Sequence, residues 1–384
     1  MKLKIIKDNI IFYVAFILYY ISIFVTYIPF EKAGTLKILL ALFTCLCLAI
    51  NLIPKIMIRI KFKYIKKKRI LVVMCVAIGA VLLKDFFVIV IYLFGVNIYL
   101  RIKDLKPLFK ISFYLLLIIT IVTILLCMIG VINNVVTARN GVQRYSLGFY
   151  HSNVLPQIIL YLCIYYHIFK KNITLVSFTV FEVVSILAYI ICNSRNAFFA
   201  IQVLLIIFII VKKYRCNRRY IKLLKLIAIS SPIIIAIISL LLLYLYSINS
   251  SIAITFNDFF NNRIHMCWLY YQYQEFKVIN FMTTEYFQKI ILTLDNGYYY
   301  SIARYGVIIL VPIFMIFISI TKGAYKRNNG YYLAAIIVLS AVNFIDNGFF
   351  SFIFYPFIIE AIYYFKYRNS YKDADILYII EQNI

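Results

Sequence analysis

Repeated apolar runs of about 20 residues constrain the fold of this chain more than any other feature of its sequence. A helix of that length spans about 30 Å, the thickness of a bilayer hydrocarbon core. Only helices and closed barrels cross lipid, because the backbone must satisfy its own hydrogen bonds there. The runs are continuous rather than alternating, which predicts helices. They lie at about 9–30, 33–53, 70–97, 110–132, 150–169, 173–192, 197–211, 226–247, 299–321, 330–345 and 349–365.

Composition points to one polytopic membrane domain over residues 1–384. Of the 384 residues, 65% are hydrophobic, more than a soluble protein of this size can keep away from water. No linker rich in proline, glycine or serine separates a second, soluble domain. The sequence therefore predicts an all-α integral membrane protein that is embedded in a lipid bilayer.

Positive charge predicts the topology. The formal net charge is +26, but cytoplasmic loops carry excess lysine and arginine, so this charge does not indicate nucleic-acid binding. If the run 70–97 turns back at Lys84-Asp85, every strongly basic loop lies inside; if it crosses once, the chain has eleven crossings. We favour twelve crossings, with both termini cytoplasmic and a large outer loop near 248–298. The basic loops are 54–69, 101–110 and 212–225.

No motif in the sequence predicts a metal or a cofactor. Most of the eight cysteines lie inside apolar runs, and no CxxC motif or cysteine–histidine cluster is present. Neither a Walker A loop nor GxGxxG occurs. Asp373-Ala374-Asp375 resembles the metal-binding DxD motif of nucleotide-sugar enzymes, but it sits in a short tail without a nucleotide-binding domain. We expect neither a metal nor a cofactor.

Five arginines lie on the predicted outer face, against the topological bias. A guanidinium group is a rigid fork of donors that matches phosphate oxygens, so some of these arginines are candidates to bind an anionic substrate. Pairing with aspartates or lipid headgroups is the alternative. The one in Asn193-Ser194-Arg195-Asn196 lies between two apolar runs, where an unpaired charge is costly. The five are Arg139, Arg144, Arg195, Arg263 and Arg304.

Two further residues are candidates for proton transfer. His151 opens an apolar run and could take the proton of an acceptor hydroxyl near neutral pH. It could equally hydrogen-bond locally, with Ser152 or Asn153 capping the helix. Asp295 could act as a base, orient an arginine, or simply form a turn before a helix. His265 is a second candidate base.

Four segments resemble motifs of the Wzy family of capsular polysaccharide and O-antigen polymerases. Arg144–Asn153, RYSLGFYHSN, is similar to that family's RxSLGFxHPN segment, with Ser152 where the family has proline. The other three are Asn193-Ser194-Arg195 for an SR turn, Asn262-Arg263 for an SGR-like element after Asn261, and Leu294-Asp295-Asn296-Gly297-Tyr298 for a DNxY element.

The resemblance implies a metal-independent glycosyltransferase that uses undecaprenyl-diphosphate oligosaccharides at the outer face of the cytoplasmic membrane. It implies that Arg144, Arg195 and Arg263 bind the diphosphate and that His151 is a candidate base. We add Arg139, Asn153 and Arg304 to the predicted substrate-binding set and Asp295 to the predicted catalytic set. A flippase and a chain-length regulator are the expected partners. A related glycan ligase, or a flippase for the same lipid, are the alternatives.

Overall fold

A computed structural model describes most of the chain. The predicted reversal at Lys84-Asp85 and the tail motif Asp373-Ala374-Asp375 lie outside the described residues. The chain divides into two compact units, residues 1–158, 191–193 and 358–384 in the first and 159–190 and 194–357 in the second. The described residues are 2–29, 33–59, 90, 93–98, 105, 107–139, 141–273, 276–280, 294–347 and 354–367.

The described part of the chain is mainly helical, as predicted. Short 3-10 turns occupy Val25–Tyr27 and Val307–Ile309, and two strands, β1 Val136–Arg139 and β2 Val142–Tyr145, form a hairpin. The helices, numbered in chain order, are α1 Lys2–Phe24, α2 Ala33–Arg59, α3 Leu108–Met128, α4 Val154–Lys170, α5 Leu175–Cys192, α6 Arg195–Tyr214, α7 Arg218–Ser247, α8 Ser251–Phe259, α9 Arg263–Tyr273, α10 Gly297–Tyr305, α11 Leu310–Lys326, α12 Gly330–Ile345 and α13 Tyr355–Tyr367.

Several helices have the length and the apolar composition needed to cross a membrane. Large apolar side chains are exposed on these helices. Such side chains are unfavourable in water but suit contact with lipid tails. Two shorter apolar helices, Val154–Lys170 and Gly330–Ile345, accompany the longer ones. Within the described ranges, seven segments are long and apolar enough to span: Ile10–Tyr27, Ala33–Asn51, Leu108–Met128, Leu175–Cys192, Arg195–Tyr214, Arg218–Ser247 and Val307–Lys326.

Within the described ranges, the β-hairpin is an element that a purely helical prediction missed. Strands β1 and β2 pair antiparallel, with Val136 opposite Tyr145 and Arg139 opposite Val142. Only two residues, Asn140-Gly141, join them. Asn-Gly between short β-favouring segments is the strongest local signal for a hairpin, and Gly141 adopts the positive φ of 77° that such a turn requires. This turn signal is present in the sequence, but it covers only two residues, whereas the apolar runs that predict helices are about ten times longer.

The predicted apolar run 299–321 is divided in the structure. Helix α10 ends at Gly306, whose φ is 88°, and α11 begins only after a 3-10 turn. The segment around Val278 lies against this break: a Cβ added to Gly306 would lie 2.6 Å from the Val278 carbonyl oxygen. Glycine is therefore required there, and the short helix α10 is separated from the apolar helix α11.

The first unit buries aromatic side chains around α1. The ring of Phe12 packs edge-on against Phe94 at 5.3 Å between centroids. Phe24 packs in the same manner against Phe149, at 6.0 Å. This second contact ties the end of α1 to the segment that follows β2, and it places the 144–153 stretch on a packed surface rather than in open solvent.

The second unit is organised around α7 and α12. Ser231 on α7 donates a hydrogen bond to Ser340 on α12, 3.1 Å away, and both side chains are buried. The Tyr298 hydroxyl donates to the Ser340 carbonyl at 3.3 Å. Small polar residues allow close helix packing in lipid, and their hydrogen bonds join the helices. The predicted outer loop 248–298 begins with two helices, α8 and α9, beside this core.

Candidate functional site

In the first unit, Arg144 holds the hairpin against the helical residues around it. Only 5% of its surface is exposed. Its Nε donates to the Cys192 carbonyl at 2.9 Å, and its Nη2 donates to the Asn153 side-chain oxygen. A buried guanidinium needs acceptors on its nitrogens, and these two satisfy part of that need. Arg144 and Asn153 are thus brought together, and Arg144 has a structural role whatever else it binds.

The chain between β2 and α4 is fixed by its own polar contacts. The Asn134 side-chain oxygen accepts from the backbone nitrogens of Ser146 and Leu147, at 3.1 and 2.9 Å. Leu147 and Gly148 both have positive φ, 51° and 89°. A Cβ on Gly148 would lie 2.9 Å from the Cys127 Cβ, so this glycine allows the segment to pack closely on α3. This turn sets where His151 stands.

His151 makes a local hydrogen bond. Its Nδ1 accepts from the Asn153 backbone nitrogen at 3.1 Å, two residues ahead. In the neutral ring an accepting Nδ1 places the proton on Nε2, so Nε2 is then a donor. The local hydrogen-bonding role, one of the two open alternatives, is therefore present. A role as a base stays a prediction and requires this bond to break or the ring to change tautomer.

Arg139 shares a face of the hairpin with Arg144. In the strand register Thr137 lies opposite Arg144, and residues two apart on a strand point to the same side. Arg139 is half-buried. The hairpin therefore presents two of the predicted arginines on one side, one of them buried and the other partly open to solvent.

In the second unit, Arg263 and Asp295 form an ion pair. Arg263 Nη2 lies 3.1 Å from Asp295 Oδ2, and the side chains are 14% and 39% exposed. Arg263 begins α9 and Asp295 lies just before the cap of α10. Asp295 therefore contacts an arginine, as its predicted role of orienting an arginine requires. The other Arg263 terminal nitrogen, Nη1, is buried and has no hydrogen-bond partner among the described residues.

Asparagines position Arg263 at the start of α9. Asn261 and Asn262 both have positive φ, 56° and 62°, which asparagine adopts more readily than most residues. The Asn257 side chain donates to Asn262 at 2.9 Å and accepts from the backbone nitrogen of His265 at 2.9 Å. This second bond satisfies one of the free N–H groups in the first turn of α9. The Asn-Asn pair thus builds a tight turn that side-chain hydrogen bonds hold in place.

A cleft of mixed character opens beside the ion pair. The space inside it that a water-sized molecule can occupy is about 10 Å³, room for about one water molecule. Buried Asn296 caps α10 by accepting from the backbone nitrogens of Tyr298 and Tyr299, and its amide donates to Ser239 at 3.3 Å. The lining is Ser239, Leu242, Phe260, Arg263, Ile264, Cys267, Asn296, Tyr299, Phe344 and Ile345. The cleft therefore combines a cation with apolar walls.

Buried groups next to the cleft are held neutral. Burial, and to a smaller extent the charge of Asp295, raise the pKa of the Cys267 thiol well above its usual value, while Arg263 opposes the shift. Burial also raises the pKa of the Tyr299 hydroxyl, which donates to the Ser239 carbonyl. Both groups are thus neutral, and the thiol is unsuited to act as a nucleophile.

Arg195 and Arg304 have different surroundings. Arg195 is the exposed first residue of α6, and its side chain makes no hydrogen bond or ion pair with any residue in the described ranges. It stands at the positive end of the helix dipole, which makes that helix end more positive still. Arg304 is half-buried in the last turn of α10, where its Nη1 donates to the Tyr300 hydroxyl at 3.0 Å. Its guanidinium carbon lies 5.1 Å from the Tyr305 ring centroid.

Some residues of the cleft carried no functional signal in the sequence. Ser239 lies in an apolar run, and Phe260 and Phe344 look like ordinary membrane residues. Phe344 precedes Asp346-Asn347, which repeats Asp295-Asn296, and that short echo was the only pointer to α12. His265 lies near the cleft but not in its lining: its Nδ1 is 3.0 Å from the Tyr246 hydroxyl.

Among the residues whose positions are described, no group of three histidine, cysteine, aspartate or glutamate side chains could hold a metal ion. Comparisons with known proteins add no assignment. No family model matches the chain, and no curated protein and no solved structure is significantly similar to it.

Proposed function

We propose that this chain is a polysaccharide polymerase of the cytoplasmic membrane. It joins oligosaccharide repeat units carried on undecaprenyl diphosphate, at the outer face, without a metal. A flippase that supplies the units and a regulator of chain length are its proposed partners. The proposal rests on the sequence resemblance and on the chemistry of the Arg263 cleft.

The single observation that carries the proposal is the state of Arg263. One terminal nitrogen pairs with Asp295, while Nη1 is buried and has no partner in the described part of the chain. A buried charged donor without an acceptor is unfavourable, so an added acceptor there is favoured. Diphosphate oxygens are strong acceptors for a guanidinium. Entry of a lipid-linked molecule would require the recess, whose walls include Phe260 and Phe344, to widen.

The proposed reaction requires a cation such as Arg263 near the leaving group. An acceptor hydroxyl oxygen bonds to the anomeric carbon of the donor as the bond from that carbon to the diphosphate oxygen breaks. The bonding electrons leave with the lipid diphosphate, which gains negative charge. A cation held close to that oxygen stabilises the transition state more than the ground state. The acceptor proton goes to a base, for which His151 and Asp295 stay the predicted candidates.

The proposed topology has twelve crossings, with both termini in the cytoplasm. The seven spanning segments and two shorter apolar helices are compatible with that number. In this arrangement the basic turn 215–217 lies inside, while the hairpin and helices α8 to α10 lie outside. Of the three remaining crossings, one falls largely on α13, and the two that meet at Lys84-Asp85 fall mainly on residues outside the described ranges.

Replacement of Arg263 tests the proposal. In cells that depend on this chain for polymer, Arg263→Ala should leave single repeat units and remove long polymer, and Arg263→Lys should restore part of it because lysine keeps the charge but not the fork. Lys277→Ala, which removes one charge from the same unit, is the matched control and should polymerise normally. Normal chain lengths in Arg263→Ala, with the protein present at wild-type amounts, would refute the role of Arg263.

The same experiment separates the alternatives. Loss of a ligase leaves full-length polymer on the lipid carrier, and loss of a flippase leaves single units on the cytoplasmic side. A polymerase defect leaves single units that reach the outer face. Gels distinguish these products by length, and a sugar-modifying reagent that does not cross the membrane distinguishes their side in intact cells and inverted vesicles.

A further inference from the structure

Three turns of the second unit meet at one end of its helices. They are residues 171–174 between α4 and α5, 215–217 between α6 and α7, and 327–329 between α11 and α12. Asn329 is buried, and its side-chain amide donates to the Ile168 carbonyl at 3.0 Å, joining the first turn to the third.

Two more contacts complete this arrangement. Lys171 Nζ donates to the Arg327 carbonyl at 3.5 Å. The start of α12 packs so closely on α6 that a Cβ on Gly330 would lie 2.8 Å from a methyl group of Val211. The ends of all these helices therefore form one continuous surface.

This surface is basic and contains no acidic residue. The segments 168–175, 211–226 and 321–330 carry twelve lysines and arginines and no aspartate or glutamate. Nine of the twelve are exposed. We call the surface the basic end; its charged residues are Lys170, Lys171, Lys212, Lys213, Arg215, Arg218, Arg219, Lys222, Lys225, Lys322, Lys326 and Arg327.

The length of α7 places part of the basic end at the depth of lipid phosphates. Helix α7 has 30 residues, which is about 45 Å at about 1.5 Å per residue. Its apolar part, 226–247, is about 33 Å long and fills a hydrocarbon core of about 30 Å. Residues 218–225, with four of the basic side chains, then extend through the headgroup layer rather than into the cytosol.

Aromatic residues at the same level support this depth. The Tyr214 and Tyr220 rings lie 5.4 Å apart at the ends of α6 and α7. Lys225 Nζ lies 4.2 Å from the Tyr325 ring centroid. Tyrosines gather at the membrane–water interface because one end of the ring is apolar and the other is polar. An acidic soluble partner would not require them.

We propose that the basic end binds the phosphate headgroups of anionic phospholipids in the leaflet that it reaches. The positive charge of the surface is large enough to bind several headgroups, and part of it lies at the depth of lipid phosphates. Its tyrosines are of the kind that gather at a membrane–water interface. This inference does not depend on the proposed sugar chemistry.

Spin-labelled lipids test the inference in vesicles that contain the full chain. The measured quantity is the preference of the protein-associated lipid shell for phosphatidylglycerol over phosphatidylcholine. Wild type should prefer phosphatidylglycerol, and Arg218→Gln/Arg219→Gln should lower the preference by about fivefold for each charge removed. Lys37→Gln/Lys277→Gln removes the same number of charges outside the basic end and should change the lipid preference by less than about twofold. If the first variant does not elute as folded protein, Lys212→Gln/Lys213→Gln replaces it.

Three results would overturn the inference. They are equal binding of the two lipids by wild type, an unchanged preference in the folded basic-end variants, and an equal loss in the control variant. Inorganic phosphate should reduce the preference no more than potassium chloride of the same ionic strength. A greater reduction would mean that the surface binds free phosphate rather than lipid.

Discussion

Arg263 and Asp295 join the first residue of α9 to the residue before the cap of α10 through a contact of 3.1 Å. The carboxylate is more than a third exposed, so solvent screens the pair and its contribution to stability is at most about 1 kcal/mol. The pair therefore acts mainly on position: it holds the guanidinium beside the cleft, while Nη1 is buried without a partner in the described part of the chain.

Asp295→Asn tests whether the carboxylate orients Arg263 or acts as a base. An amide can still accept a hydrogen bond from the guanidinium, so an orienting role predicts reduced but measurable polymerisation, about tenfold below wild type and above Arg263→Ala. Chain length on gels measures the effect, with exposed Asp258→Asn as the control. Activity as low as that of Arg263→Ala, in folded protein, would instead support a base.

Arg144→Ala tests the structural role of the buried arginine. Its loss leaves the Cys192 carbonyl and the Asn153 side chain without their donors, which should destabilise the fold by about 1–3 kcal/mol for each acceptor that stays buried. Thermal unfolding in detergent should therefore begin at a markedly lower temperature. Arg139→Ala, on the same hairpin face but half-buried, should shift it little. Equal stability of the two variants would mean that Arg144 does not hold the hairpin.

Gly148→Ala tests the close packing of the 144–153 stretch. Alanine at the φ of 89° is strained by about 1–2 kcal/mol, and its Cβ would also meet α3 at 2.9 Å. Gly130→Ala carries a similar strain at a φ of 78° but has open space around it. We expect Gly148→Ala to lower the unfolding temperature and the polymer yield more than Gly130→Ala. Matching effects would show that backbone strain alone matters.

Two native cysteines test burial and topology together. Cys216 is exposed in the turn between α6 and α7, whereas Cys267 is buried and its thiol pKa is raised, so it stays protonated and unreactive well above neutral pH. A membrane-impermeant maleimide should label Cys216 in inverted vesicles and not in intact cells. Cys216→Ser identifies the labelled site. Labelling of Cys216 from outside would contradict the proposed twelve crossings.

The apolar runs predicted most helices, because a membrane span needs little beyond length and hydropathy. The run 330–345 is helix α12 with the same bounds. The break at Gly306 could not be read in advance, because it depends on the segment around Val278 lying against it, a contact distant along the chain. The hairpin could have been predicted from Asn140-Gly141.

The candidate site was predicted by residue type more readily than by arrangement. Arginines were selected for their charge, yet burial separates them: Arg144 is enclosed, Arg263 is held at a cleft, and Arg195 is exposed. Those differences come from tertiary packing, which no local pattern encodes. Ser239 and Phe344 entered the cleft lining through helix packing alone.

The most direct test of the central claim is polymerisation by the purified chain in lipid vesicles. Undecaprenyl-diphosphate repeat units are supplied as the only substrate, in the presence of a metal chelator, and both oligosaccharide length and released undecaprenyl diphosphate are measured. We expect lipid-linked products of two or more repeat units, one diphosphate lipid released for each linkage, and no product with Arg263→Ala. Single units that remain unjoined with folded wild-type protein, across repeat units from the producing strain, would contradict the proposed function.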